Sequence, residues 1–158
     1  MHPNQETITR FYAAFSQKDA KTMATCYHED VTFSDPVFKE LRGAEVAAMW
    51  EMLCLQAKTL IITSSDIQAD DLKGQANWTA HYDFGKPPRP VHNRIHAEFE
   101  FLDGKIIRHI DTFNFWKWSR MALGFLGLIM GWHSGVQQKI SAQAMSNLTK
   151  FITKTKTK

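Results

Sequence analysis

Two carboxylates in this 158-residue chain occupy positions suited to acid–base chemistry. Asp35 follows a short apolar run and precedes Pro36, and the proline restricts the backbone that carries the carboxylate. Asp111 shares one face of a predicted strand with His109 and Phe113, so it is an acid among large side chains. A carboxylate fixed in an apolar pocket can act as a general base, and a second acid can supply or hold the proton.

A second pair of candidates, His81 and Asp83, lies on one face of another predicted strand. They could orient or protonate a substrate, or they could form the outer polar face of a half-exposed strand, because the opposite face is the more apolar. If His81 and Asp83 converged with His109 and Asp111, these side chains could bind a metal ion. No helical His pair and no CxxC motif supports a metal site, so we predict no metal and no organic cofactor.

Two helices are predicted before the strand that carries Asp35, and a third is predicted after it. The first begins at Asn4, the second is capped by Asp19, and the third follows Gly43. Apolar residues recur in the first and third at the spacing of one buried helical face: Ile8, Phe11, Tyr12 and Phe15, then Val46, Met49, Trp50 and Leu53.

From residue 59 the apolar period changes from 3.6 to 2, which predicts strands. They cover residues 59–68, a segment from about 76 to 84, a segment from about 91 to 101, and residues 106–115. The third of these strands places Val91, Asn93, Ile95 and Ala97 on one face.

The chain after residue 115 is predicted to be a helical extension (116–152) packed on the first domain (1–115), with a disordered tail (153–158). Its apolar part, residues 116–132, has three alternatives: a lid over a pocket, a dimer surface, or peripheral membrane contact. The longest apolar run is too short to span a bilayer.

Composition indicates a globular protein without a nucleic-acid-binding surface. The net charge is only +3, and the basic residues form no stripe with exposed aromatic residues. Cys26 and Cys54 fall on apolar helical faces and are predicted to be buried, reduced thiols. Together with the absence of a signal peptide, this predicts a cytoplasmic protein.

Four strings in order resemble the nuclear transport factor 2-like superfamily, which includes ketosteroid isomerases, SnoaL-like polyketide cyclases and limonene-epoxide hydrolases. The strings are Arg10-Phe11-Tyr12-Ala13-Ala14-Phe15, Phe33-Ser34-Asp35-Pro36-Val37, Phe99-Glu100-Phe101-Leu102-Asp103-Gly104-Lys105-Ile106 and Ile110-Asp111-Thr112-Phe113. The resemblance implies an α+β fold in which a curved, mostly antiparallel sheet wraps around three N-terminal helices as a cone. It also implies a deep apolar pocket and a homodimer.

The same resemblance implies roles for individual residues. Asp35 matches the general base of ketosteroid isomerases, whereas Phe11 and Ala97 stand where that family has its oxyanion donors. Asp35, Asp111 and the His81–Asp83 pair resemble the acids of limonene-epoxide hydrolases, with His81 in place of an arginine. The implied substrate-binding residues are Phe11, Tyr12, Phe15, Phe33, Trp50, Ala97, Phe99 and Phe113.

Two functions are therefore expected. The first is a cofactor-independent enzyme that isomerises, cyclises or hydrolyses a small apolar molecule, with Asp35, Asp111, Asp83 and His81 as catalytic residues. The second is a non-catalytic protein that binds a hydrophobic ligand or acts as a scaffold, which the missing oxyanion donors favour.

Overall fold

A computed structural model of the chain describes residues 1–125, 127 and 134–157, and it has an α+β fold. In this part of the chain the elements run in the order α1 (Pro3–Ser16), α2 (Ala20–Thr25), β1 (Tyr27–Ser34), β2 (Leu41–Arg42), α3 (Ala44–Gln56), β3 (Ile61–Ala69), β4 (Lys73–Phe84), β5 (Arg89–Leu102), β6 (Lys105–Thr112), α4 (Phe115–Leu123) and α5 (Ser134–Lys156).

One curved, unclosed sheet carries the fold, with the strand order β2-β1-β6-β5-β4-β3. Strands β1 and β6 pair in parallel, and the other neighbouring strands pair in antiparallel. The inner face of the sheet packs against α1 and α3. Fully buried side chains of the two helices and the sheet form the core: Ile8, Phe11, Val46, Met49 and Ile106. The predicted fold class is confirmed.

Local chemistry explains where the helices and strands begin. The Asp19 carboxylate accepts the backbone N–H of Thr22 and caps α2, and Gly43 precedes α3 with a positive φ that glycine adopts without strain. Burial alternates along β5, where residues of one parity are buried and those of the other face outward. These predictions are confirmed.

Several predicted boundaries are wrong by one to a few residues, including the following three. Helix α1 begins at Pro3, because His2 Nδ1 accepts the backbone N–H of Asn4 and provides the cap. Strand β1 begins at Tyr27, although the helical spacing of Met23, Ala24 and Tyr27 predicts that this residue belongs to the second helix. Strand β6 ends at Thr112, because the Asn114 side chain caps α4 through the backbone N–H of Lys117.

The C-terminal extension packs on the same core as the rest of the chain. Leu148 of α5 is fully buried in that core, and α5 also contacts α3. The predicted disorder after residue 152 is wrong as far as Lys156, because the helix continues and its threonine hydroxyls donate to carbonyl oxygens one turn earlier. Of the predicted apolar segment 116–132, residues 126 and 128–132 lie outside the described residues.

Two further features concern the cysteines and the lengths of the helices. Cys26 and Cys54 are both buried and free, as predicted. Within the described residues, every helix is too short or too polar to cross a membrane.

Candidate active site

The parallel pairing of β1 and β6 brings the two predicted acids together. In that pairing Phe33 lies opposite His109 and Ser34 lies opposite Ile110. Asp35 follows Ser34 directly and Asp111 follows Ile110, so the register carries both acids to the same end of the strand pair. Two residues that are 76 positions apart in sequence thereby line one cavity.

Asp35 is held by the turn that follows it. Its Oδ1 accepts the backbone N–H groups of Val37 and Phe38 at 2.7 and 2.5 Å, while its own N–H donates to the Phe38 carbonyl oxygen at 2.8 Å. Among the described residues, nothing donates a hydrogen bond to Oδ2, and the carboxyl group lines the cavity. One oxygen therefore fixes the side chain, and the other is available to a ligand.

The environment of Asp35 makes it an acid that titrates near neutral pH. Burial raises the pKa of its carboxyl to about 7, and the nearby charge of Asp111 adds to this rise. The N–H groups of Phe38 and Val37 act in the opposite direction, because they stabilise the ionised form. At neutral pH both protonation states are populated, as a group that gives and takes protons requires.

Asp111 ends a buried chain of hydrogen bonds. The Trp50 indole N–H donates to the Tyr27 hydroxyl at 2.8 Å, and that hydroxyl lies 2.8 Å from His109 Nδ1. His109 Nε2 lies 2.9 Å from Asp111 Oδ1, which Trp78 also approaches with its indole N–H at 3.4 Å. His109 is fully buried and Asp111 is 2% exposed.

One assignment of hydrogens satisfies every polar atom of this chain. Trp50 can only donate, so the Tyr27 oxygen accepts that bond and its own hydrogen is free to donate to His109 Nδ1. Burial and the charge of Asp111 raise the pKa of Tyr27 well above its ordinary value, which keeps that hydrogen in place. The remaining His109 hydrogen is on Nε2 and points at Asp111. The network is satisfied by a neutral imidazole and an ionised Asp111.

The cavity in front of the two acids has a volume of about 560 Å³. Aromatic side chains from every layer form much of its wall: Phe15, Trp50, Trp78, Tyr82, Phe113 and Trp118. The charged residues among its described lining are all acids, namely Asp35, Asp83 and Asp111. A cavity of this size with few polar groups suits a small, largely apolar ligand.

Helix α5 covers one side of the cavity. Ile140, Gln143, Ala144 and Asn147 line it at the spacing of one helical face. Helix α4 adds Trp118. Of the predicted apolar segment 116–132, Trp118 and Leu123 line the cavity. The choice among lid, dimer surface and membrane contact for that segment stays a prediction.

Two further polar groups, both carried by the sheet, face the cavity. Asn93 of β5 is 8% exposed, and its amide makes no hydrogen bond to any described residue. The Tyr82 hydroxyl accepts the indole N–H of Trp118 at 2.7 Å, and within the described chain its own hydrogen has no acceptor. Burial raises the pKa of Tyr82, as does the charge of Asp35 nearby. Both groups are free to bind a polar atom of a ligand.

The predicted substrate-binding residues divide into two groups. Phe15, Trp50 and Phe113 line the cavity. The others are core residues: the rings of Phe11, Phe33 and Phe99 surround His109 at centroid distances of 5.7, 5.0 and 4.5 Å, Ala97 pairs with Asp111 across the sheet, and Tyr12 packs on Trp78. The Tyr12 hydroxyl is buried with no partner among the described residues.

The structure does not bring His81 to the other candidates. It is exposed on the outer face of β4, where its ring stacks on His92 of β5 at 3.7 Å. Alternation on the strand directs Trp78, Ala80 and Tyr82 inward instead, which corrects the predicted placement of His81. Asp83 is exposed and contributes only to the cavity lining near Gly85. Across residues 1–125, 127 and 134–157, no three potential ligand side chains are grouped as a metal site.

Sequence reasoning missed Tyr27, Asn93 and Tyr82 as site residues. The signal for Asn93 was present, because it is an amide on the otherwise apolar face of its strand. Tyr27 carried no such signal, since its partner His109 is 82 positions away.

Comparison with known proteins agrees with this fold. The architecture is that of the nuclear transport factor 2-like superfamily. Within it, residues 8–109 match the model of the SnoaL-like domain, and the chain belongs to that family. No curated protein matches the sequence.

Several solved structures share the fold. A limonene-epoxide-hydrolase-like epoxide hydrolase from M. tuberculosis has 21% identity and a TM-score of 0.63, covering 80% of this chain and 95% of that one. A putative polyketide cyclase from Xanthomonas campestris pv. campestris has 20% identity and a TM-score of 0.64, with coverages of 76% and 96%. A hypothetical protein with a ketosteroid isomerase-like fold from Catenulispora acidiphila DSM 44928, in complex with trimethylamine, has 13% identity and a TM-score of 0.65, with coverages of 74% and 92%.

Proposed function

We propose that this protein is an enzyme that transfers protons on a small, neutral, largely apolar molecule without an organic cofactor. The observation that carries the proposal is the pair of acids in one aromatic cavity, of which Asp35 has a pKa of about 7. Isomerisation, cyclisation and epoxide hydrolysis all need such a group. The family and the epoxide hydrolase and polyketide cyclase among the similar structures support the same class of chemistry.

In this proposal the two acids have different roles. Asp35 gives and takes the proton, because its free oxygen faces the cavity and both of its protonation states exist at neutral pH. Asp111 remains a carboxylate held by His109 and Trp78. The charge of Asp111 raises the pKa of Asp35 and stabilises positive charge that develops on the substrate.

The lining of the cavity defines the kind of substrate. Its acids repel carboxylates and phosphates, and none of its described residues is basic. Aromatic rings favour a flat or polycyclic carbon skeleton. Asn93 and the Tyr82 hydroxyl bind a carbonyl, hydroxyl or epoxide oxygen of that skeleton.

Hydrogen–deuterium exchange on a simple ketone tests the proposal, and it does not require the natural substrate. A neutral cyclic ketone such as 2-tetralone is incubated with the protein in D₂O at pD 7, and loss of its α-hydrogen signals is followed by NMR. We expect the wild-type protein to accelerate exchange. Asp35→Asn should lower that acceleration by about 100-fold or more, the range for loss of a general base. Asp30→Asn, a matched change at an exposed residue outside the cavity lining, should leave it unchanged.

Two results would reject the enzyme assignment. Equal exchange rates for wild type and Asp35→Asn would show that Asp35 is not the base. Saturable ketone binding without any acceleration over buffer would favour the alternative function, a protein that binds a hydrophobic ligand.

The proposal also includes a cytoplasmic location and a homodimer. Free, buried Cys26 and Cys54 support a reducing compartment, and the homodimer rests on analogy with the superfamily. Sedimentation equilibrium of the purified chain tests the dimer, and a single species at the mass of one chain would refute it.

A further inference from the structure

The turn that carries Asp35 is held from two sides. From within, the Asp35 carboxylate binds the N–H groups of Val37 and Phe38. From outside, two side chains of α5 bind the carbonyl groups of the same turn: the Gln137 amide donates to the Pro36 oxygen at 3.0 Å, and the Ser141 hydroxyl donates to the Val37 oxygen. These contacts join residues more than 100 positions apart.

We infer that Ser141 and Gln137 are positioning residues of the active site, which fix the Asp35 turn so that the free carboxyl oxygen stays directed into the cavity. The inference rests on the proposed function for its catalytic meaning. The family match ends at residue 109, so both residues lie outside the part of the chain that the family model describes. The C-terminal extension would then supply two positioning residues of the site in addition to one side of the cavity wall.

Burial distinguishes Ser141 from an ordinary surface contact. Ser141 is 7% exposed, and its hydroxyl has the Val37 carbonyl as its acceptor in place of water. Neighbouring α5 residues on both sides, Ile140 and Ala144, line the cavity. The helix is therefore fixed against the cavity wall at the point where it binds the turn, and Leu148 anchors it in the core about two turns further along.

The geometry of the turn explains how these contacts reach Asp35. The Val37 residue accepts from Ser141 with its carbonyl oxygen and donates to Asp35 Oδ1 with its N–H. The Val37 carbonyl and the Phe38 N–H belong to one planar peptide group. Without the Ser141 bond this group is free to rotate, and its N–H is the second donor to Asp35 Oδ1. Freed N–H groups stabilise the ionised carboxyl less, so the pKa of Asp35 rises further.

Amide hydrogen exchange and carboxyl NMR on three single variants test the inference. In Ser141→Ala we expect the Val37 and Phe38 amides to exchange about fivefold faster, as for the loss of one net hydrogen bond. The Asp35 titration should move to higher pH in the same variant. Gln137→Leu, which removes a contact at a less buried position, should give a smaller change of the same sign. Ser146→Ala, an exposed control on the same helix, should give none.

Unchanged amide exchange and unchanged Asp35 titration in Ser141→Ala would overturn the inference. If near-UV circular dichroism shows that Ser141→Ala has lost its tertiary structure, Gln137→Leu takes its place. Unchanged amide exchange and an unchanged Asp35 titration in Gln137→Leu would then overturn the inference. None of these readouts needs turnover. Failure of the ketone exchange assay would therefore reject the proposed function while the role of α5 in holding the turn is judged independently.

Discussion

Replacing Asp35 with asparagine should make the protein more stable at neutral and alkaline pH while it removes activity. An asparagine oxygen can still accept the N–H groups of Val37 and Phe38, so the turn keeps its internal bonds. Asparagine carries no charge, and the cost of ionising a carboxyl beside Asp111 in this cavity disappears. Sites that are destabilised for function commonly show this opposition of stability and activity.

The size of the effect follows from the pKa of Asp35 in the two states. That pKa is about 7 in the folded protein against an ordinary value of 3.8, so the folded state holds a proton that the unfolded state releases between these values. Wild-type stability therefore falls as pH rises from about 4 to 7 and is constant above, by about 1.4 kcal/mol per pH unit at most. The cumulative loss is about 0.6 kcal/mol at pH 4, about 3 at pH 6 and about 4 at pH 8, as order-of-magnitude values.

Urea denaturation of wild type and Asp35→Asn at these three pH values provides the assay. The difference in the free energy of unfolding should grow toward pH 8 in favour of the variant, by up to about 4 kcal/mol. Asp83→Asn should show no comparable pH dependence. An Asp35→Asn effect that is constant from pH 4 to pH 8 would disprove this explanation, since it would mean that Asp35 has similar pKa values in the folded and unfolded states.

Three other substitutions test separate parts of the structure. Tyr27→Phe should destabilise the fold by about 2 kcal/mol or more in urea, because it leaves a buried donor and a buried acceptor unpaired, whereas Tyr12→Phe should be neutral or stabilising; equal losses would contradict the hydrogen-bond chain. Leu148→Ala should cost about 2–5 kcal/mol as a core truncation, measured against Ser146→Ala, and a loss below about 1 kcal/mol would separate α5 from the core. Asn93→Leu should weaken binding of 2-tetralone about tenfold by calorimetry without loss of stability, and unchanged affinity would remove Asn93 from the site.

Much of the fold followed from periodicity and caps, because these signals are local. Asp19 and Gly43 marked two helix starts, and alternation identified the strands on both sides of the connection at residues 85–88. The errors arose where a signal had two physical interpretations. The threonine–lysine repeat after residue 152 is polar enough for a disordered tail, yet its hydroxyls donate to the helix backbone and Ile152 packs against the core.

The site was predictable only in part, because it depends on which strands pair. Asp35 and Asp111 could be chosen individually from their apolar surroundings, but parallel pairing of β1 with β6 is what brings them together. Parity favoured the outer face for His81 only slightly, and the structure places the residue there. The bonds from α5 to the Asp35 turn join residues more than 100 positions apart, a distance over which no sequence pattern acts.

A carboxyl-carbon NMR titration of Asp35, in wild type and in Asp111→Asn, is the decisive experiment for the shared cavity. We expect a wild-type pKa of about 7, a lower value when the charge of Asp111 is removed, and a change on addition of 2-tetralone. If the pKa of Asp35 is near 3.8 in both proteins and does not change on addition of 2-tetralone, the two acids do not share one ligand-binding cavity.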